Sequence, residues 1–209
     1  MAEPGWSYRE NEVTLHTYEK HADAYIHRMS ADPPASVCAW LDEAVRDLSR
    51  GALILELGSG TGRDARYIEK QGYAVLRTDA TAAFVQHLRQ GGFLARRLNA
   101  LTDPLGGPYH LILADAVILH FPKADALALF RRVRDALLPK GRLAFSVQQG
   151  SGQMWRDLDG GPRYFCLWES GELTQALSEA GFSVRYSKCD EDFRSIRWMN
   201  LVVQPASAE

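Results

Sequence analysis

Along the chain the spacing of apolar residues switches between a helical period and short continuous runs, so helices and buried strands alternate. From about residue 13 to 29 the positions Leu15, Tyr18, Ala22, Tyr25 or Ile26 and Met29 share one helical face. Asp32-Pro33-Pro34 ends that helix and starts the next, since proline suits a first helical turn. The second helix, about 34–49, carries Val37, Trp40, Leu41, Ala44, Val45 and Leu48 on its inner face, and Gly51 stops it. Leu53, Ile54, Leu55 and Leu57 predict a buried strand. A helix follows, with Thr61 as expected N-cap and Asp64 three residues on. Next come a strand over 74–78 closed by Asp79, a helix over 81–90 ended by Gly91-Gly92, and a weak strand over 94–98.

The second half repeats the alternation. A strand over 111–115 follows a surface loop at 102–108. A helix over 123–138 packs Leu127, Phe130, Val133 and Leu137 inward. Pro139-Lys140-Gly141 reads as a turn, and 142–147 as a central strand. Residues 148–169 are rich in glycine and aromatics and read as a long irregular loop, a length usually kept for function. A helix over 170–180, capped by Ser170, and strands over 184–188 and 198–204 complete the chain. This order predicts an α/β fold with a mainly parallel sheet in a single domain over 1–209. Residues 1–50 form a helical cap and 148–169 a lid.

The chemistry concentrates where the first strand ends. Glu56 precedes three alternating glycines, Gly58, Gly60 and Gly62, with Ser59 between them. Glycines allow positive φ and bring a ligand close to bare backbone. The helix that opens there offers free N–H groups. An acidic residue ending the next strand, Asp79, can accept both hydroxyls of a ribose. A nucleoside-binding half-site is therefore expected. The dinucleotide fingerprint requires a third glycine for close helix packing, and Arg63 occupies that position.

The run ELGSGTGRDA, with Asp79 downstream, resembles motifs I and II of class I S-adenosylmethionine-dependent methyltransferases. YEKHADAY, LILAD followed by AVILHFP, LLPKGRLAFSV and SGELTQALSEAGF are similar to further phrases of that family, covering about residues 18–204. The resemblance implies a Rossmann-like three-layer sandwich whose seven-stranded sheet has an antiparallel last strand. It implies S-adenosylmethionine as cofactor, touched by Glu56, Gly58, Ser59, Gly60, Gly62, Asp79, Ala80, Asn99, Ala100 and Ala114. The family usually has aspartate where Asn99 stands, and asparagine keeps an acceptor oxygen there.

On the acceptor side the readings stay open. Tyr18 and Tyr25 either approach the methyl group or pack inward on an amphipathic helix. His120 sits where a general base would, since histidine titrates near neutrality; a structural ring beside the cofactor is the other reading. Asp115 is a helix cap or a substrate contact. Trp155, Arg156, Arg163 and Tyr164 on the lid suggest a pocket for a flat or acidic small molecule, against plain packing of the lid. Arg194 and Arg197 are read as balancing Asp190, Glu191 and Asp192.

Composition narrows the class. A chain of 209 residues that is 46% hydrophobic suits one well-filled domain. A net charge of −2 gives no basic surplus for a nucleic-acid partner. No apolar run is long enough to span a membrane. Cys38, Cys166 and Cys189 form neither a disulfide framework nor a metal cluster, which points to a reducing, cytoplasmic setting. His16, His21 and His27 lack the i,i+4 spacing of helical metal pairs, so no metal is expected. Asp32-Pro33-Pro34 only partly matches the [DN]-P-P-[YF] motif of nucleic-acid amino-methyltransferases: it precedes the first strand and lacks the aromatic. The expected activity is methyl transfer to an oxygen or nitrogen of a small molecule. The competitors are a nicotinamide-dependent oxidoreductase, for which no Y-x-x-x-K occurs between Asp115 and Lys140, and a non-catalytic cofactor-binding module. Oligomeric state and the identity of the acceptor are not written in the sequence.

Overall fold

The computed structural model describes residues 8–158 and 160–206. Seven strands form one sheet: β1 (Leu53–Leu57), β2 (Ala74–Asp79), β3 (Ala95–Arg97), β4 (Tyr109–Ala114), β5 (Leu137–Gln148), β8 (Phe182–Glu191) and β9 (Arg197–Pro205). Their order is β3-β2-β1-β4-β5-β9-β8, and β9 alone runs antiparallel to its neighbours. The expected seven-stranded, mostly parallel sheet is therefore observed.

Parallel strands are buried on both faces, which is why their sequences read as continuous apolar runs. On one face α3 (Ala35–Val45) and α4 (Arg63–Lys70) cover Ile54, Leu111, Leu113 and Ala144 with Trp40, Leu41, Ala44 and Ile68. On the other face α6 (Lys123–Asp135) and α7 (Ser170–Glu179) cover Leu55, Ile112, Phe145 and Val147 with Leu129, Phe130, Val133 and Leu177. A smaller cluster joins α5 (Ala82–Gln90) to β3 through Val85, Leu88 and Ala95.

Several local expectations are corrected. The helix expected over 13–29 breaks at His21 into α1 (Arg9–Lys20) and α2 (Ala22–Arg28). The buried residues of α1 are polar: Asn11, Thr14 and Thr17. This helix docks through hydrogen bonds, so the apolar stripe misjudged its inner face. The helix expected to reach residue 49 stops at Val45, and Asp47 adopts φ 62°. The freed carbonyls are used elsewhere: Arg142 Nη1 donates to Ala44 and Arg46, and the Tyr73 hydroxyl donates to Val45 and Leu48. Gly62, in the left-handed region at φ 73°, flanks α4 in place of the expected Thr61 cap. Pro139-Lys140-Gly141 lies within β5, which begins at Leu137 and shifts register against β4. Glu169 flanks α7, and the Ser170 hydroxyl donates to Met199 Sδ instead of capping the helix.

The largest correction concerns the lid. Residues 148–169 are not an irregular loop: β6 (Gln153–Leu158) and β7 (Gly161–Cys166) form an antiparallel hairpin. It rests on α1, where Thr17 Oγ1 donates to the Pro162 carbonyl (2.7 Å) and the Tyr164 N–H donates to Thr14 Oγ1 (3.0 Å).

Candidate active site

The site forms at the carboxyl ends of β1, β2, β4 and β5, where an open α/β sheet leaves its crevice. The turn after β1 holds Gly58, Gly60 and Gly62 at φ 67°, 51° and 73°. A Cβ on Gly58 would lie 2.4 Å from Val117 Cγ2, so the turn has no room for a side chain there. Ser59 staples the turn to β2: its N–H donates to the Thr78 carbonyl and its hydroxyl accepts from the Thr78 N–H. Asp79 accepts from the Gly60 N–H and the Thr81 N–H, both at 2.8 Å. Burial, the main cause, holds this carboxyl above its ordinary range despite those donors.

Glu56 lies beneath the turn with 2% of its surface exposed, and Oε2 has no hydrogen-bond partner among the described residues. Burial, with Asp64 nearby, pushes its carboxyl up to about 8. Ala114 ends β4 fully buried. Ala80 is half-buried, and its carbonyl accepts from Arg97. Asn99 and Ala100 are engaged differently from expectation. The Asn99 oxygen accepts from the Leu101 N–H and its amide donates to Asn11 on α1, while the Ala100 carbonyl accepts from Arg132.

The acceptor side assembles from distant segments. The short 3-10 turn Ile118–His120 after β4 aims His120 between α1 and β7. Its Nδ1 lies 2.7 Å from the Tyr164 carbonyl and its Nε2 lies 3.0 Å from the Tyr18 hydroxyl. A carbonyl only accepts, so Nδ1 carries the proton and Nε2 accepts from Tyr18. Burial, at 8% exposure, lowers this imidazole to about 4. His120 is thus a neutral ring with both nitrogens engaged, a weak proton acceptor at neutral pH, and the general-base reading loses its support.

Tyr25 stacks edge-on against Tyr18, with ring centroids 5.7 Å apart, and its ring lies 3.8 Å from a Cβ built on Gly60. Tyr25 therefore roofs the glycine turn, and Tyr18 packs beside it. Asp115 accepts from the Ser146 hydroxyl (2.5 Å) and pairs with Arg63 (2.9 Å), which also binds Asp64. Burial and the Asp64 charge push Asp115 up to about 7 against the pull of Arg63.

The hairpin sorts the four lid residues by alternation. Arg156 and Arg163 face each other across the strands on the side that carries Met154 and Phe165; Trp155 and Tyr164 pair on the opposite side. The Phe165 ring lies 4.9 Å from His120. Trp155 is 45% exposed, and the Tyr164 hydroxyl donates to Gln153. Trp155 and the Tyr164 side chain are therefore not brought to the site; Tyr164 contributes its carbonyl.

Arg63, Phe165 and Glu19 were missed from sequence. Glu19 of α1 accepts from the Ala82 and Ala83 N–H groups at the start of α5, beside Asp79. The hairpin carried one legible signal, the Asp159-Gly160 pair, a sequence common in tight β-turns.

The methyltransferase domain model matches residues 25–187, well over half of the chain. The chain belongs to the methyltransferase-domain family. Among solved structures, this methyltransferase is similar to the CcbJ methyltransferase of Streptomyces caelestis, at 19% identity and TM-score 0.73 over 94% of this chain and 99% of that one. The 1,6-didemethyltoxoflavin-N1-methyltransferase of Burkholderia thailandensis matches at 17% identity and TM-score 0.74 over 99% of this chain and 94% of that one. DhpI, in a complex with SAM and HEP, matches at 21% identity and TM-score 0.74 over 95% of this chain and 99% of that one. No curated protein matches the sequence. Neither the fold nor the family supports the nicotinamide-dependent or the non-catalytic reading. No helix among the described residues is long and apolar enough to cross a membrane.

Proposed function

We propose that this methyltransferase moves a methyl group from S-adenosylmethionine to an oxygen or nitrogen atom of a small molecule. The observation that carries the reading is the juxtaposition of the glycine turn with Asp79, roofed by Tyr25. The residues present fit the cofactor. The turn offers bare backbone to a nucleoside, Asp79 suits ribose hydroxyls, and the buried Glu56 Oε2 has no hydrogen-bond partner among the described residues and is left for a ligand to satisfy. When bound, the sulfonium supplies a methyl carbon electrophilic enough for direct in-line displacement.

The protein's own contribution is orientation and exclusion of water. Asp79, held by two backbone N–H groups, keeps a fixed position for hydroxyl recognition. Tyr25 covers the turn, Tyr18 packs against Tyr25, and His120 fixes the Tyr18 hydroxyl. The small-molecule assignment draws on the hairpin lying against α1 and the turn that carries His120, and on neighbours such as the enzyme named for 1,6-didemethyltoxoflavin. Three cysteines without disulfides, one of them exposed, are consistent with a cytoplasmic setting.

Calorimetry with S-adenosylhomocysteine tests the donor site. Binding is expected, and Asp79→Ala should weaken it at least about tenfold, or roughly 1.4 kcal/mol. Absence of binding to the intact protein would sink the reading.

A further inference from the structure

The segment α1–α2 lies on the turn that a methyl donor must reach. Tyr25 Cε1 stands 3.8 Å from a Cβ built on Gly60, an ordinary contact distance between two carbons, so no ring of a ligand fits between them. Tyr25 and Tyr18 also pack on the Phe84 ring of α5, with centroids 5.3 Å and 6.0 Å away. Two polar contacts of α1 border the same place. Glu19 accepts from the Ala82 and Ala83 N–H groups (2.7 and 3.1 Å), which are free donors at the start of α5, just beyond Asp79. Asn11 accepts from the Asn99 amide (2.8 Å), at a position expected to touch the cofactor. The segment thus occupies the site much as a ligand would, with rings on the turn, a carboxylate on a helix N-terminus and an acceptor on Asn99.

Its fastening is of a kind that lets go. Apart from the rings and Ala22, it is polar: the buried residues of α1 are Asn11, Thr14 and Thr17. Thr14 and Thr17 bond the hairpin, and the Tyr18 hydroxyl bonds His120. A detached hydrogen-bonding side chain regains its bonds with water, so each such contact contributes little net, whereas parting two apolar faces would expose area. Segments with few buried apolar contacts open first. The pivot is present as well. Residues 29–34 join α2 to α3 without regular structure, and the Asp32–Lys70 pair that ties them down is 72% and 66% exposed. Beyond the pivot α3 is fixed, since the Trp40 indole donates to the Leu201 carbonyl in the core.

We propose that α1–α2 is a gate on the donor site, swinging about residues 29–34: the donor enters only once the Glu19 and Asn11 contacts have parted, so the closed segment competes with it. This rests on the methyl-donor reading above. The apparent affinity for the donor is then the intrinsic affinity scaled by the open fraction, and loosening the closed state raises both affinity and rate of entry. The sign separates this from a structural role. If Glu19 only capped α5, its loss would fray that helix beside Asp79 and weaken donor binding; loss of a latch strengthens it.

The test mixes the full chain with S-adenosylhomocysteine and follows tryptophan fluorescence by stopped flow, with calorimetry for the equilibrium. Glu19→Gln replaces a carboxylate at a helix N-terminus by a weaker neutral acceptor, and should raise the association rate and lower the Kd about tenfold. Asn11→Ala should do the same by about threefold. Amide exchange in both variants should quicken over α1 and α2 while β1 and β4 keep their protection, which shows that the rest is folded. If Glu19→Gln disturbs β1 or β4, Asn11→Ala carries the test alone. Unchanged or weaker binding in a folded variant overturns the gate. If neither the wild type nor the variants bind S-adenosylhomocysteine, it is the donor reading that fails.

Discussion

The two halves of the proposed active site are built by opposite means. The donor half lies within one βαβ unit, and its key contact joins Gly60 to Asp79, 19 residues apart. The acceptor half joins Tyr18 to His120 across 102 residues, Thr17 to Pro162 across 145 and Thr14 to Tyr164 across 150. The first depends on backbone conformation that glycine alone adopts freely. The second depends on side-chain hydrogen bonds between α1, the hairpin and the 3-10 turn. Loss of a glycine should therefore damage one half outright, whereas loss of a single hydrogen bond should only loosen the other.

Four substitutions would break or sharpen this contrast. Gly58→Val puts a branched side chain at φ 67° and against Val117, and should cost about 3 kcal/mol in urea unfolding along with S-adenosylhomocysteine binding. A mild effect there would mean that the turn is plastic.

Glu56→Gln probes the tension under the turn. The folded carboxyl, at about 8, lies above its unfolded value of 4.5, so its stabilising share is complete below about pH 4.5 and disappears as pH rises through 8. Glutamine cannot ionise, so the variant should gain on the order of 2 kcal/mol over wild type at pH 8 and nothing at pH 4. Thermal melts across that window decide it, and equal slopes for the two proteins would refute the assignment.

Thr17→Val removes one bond between α1 and the hairpin. It should cost about 1 kcal/mol and speed amide exchange in α1 and β7 while β1 and β4 keep their protection. Uniform acceleration would show that α1 is part of the core. The smallest effect is expected for Trp155→Ala, on the outer side of the hairpin: acceptor KM within about twofold and stability within about 0.5 kcal/mol. A tenfold rise in KM would place the acceptor on the other face.

Legibility from the sequence followed the same divide. The strand–glycine–helix–Asp79 unit was readable because each part is a local signal: an apolar run, glycines at positive φ, an acidic strand end. Asn99 shows where local reading stops. It sits where a cofactor contact was expected, yet its amide reaches Asn11, a residue 88 positions away that carries no motif. The apolar stripe of α1 misled for a related reason. Its buried face is Asn11, Thr14 and Thr17, and periodicity counts apolar residues only.

By itself the sequence determined the sheet, the glycine turn with its acidic strand end, and the family, because burial on both sides of parallel strands and the steric freedom of glycine are written residue by residue. Tertiary structure alone decided the proposed acceptor side. The pairing that turns Arg156 and Arg163 inward and Trp155 outward is set by the register of the hairpin, and a strand's two faces exchange on a one-residue slip. The tautomer of His120 is likewise set by a carbonyl 44 residues away, through a hydrogen bond that no local pattern encodes.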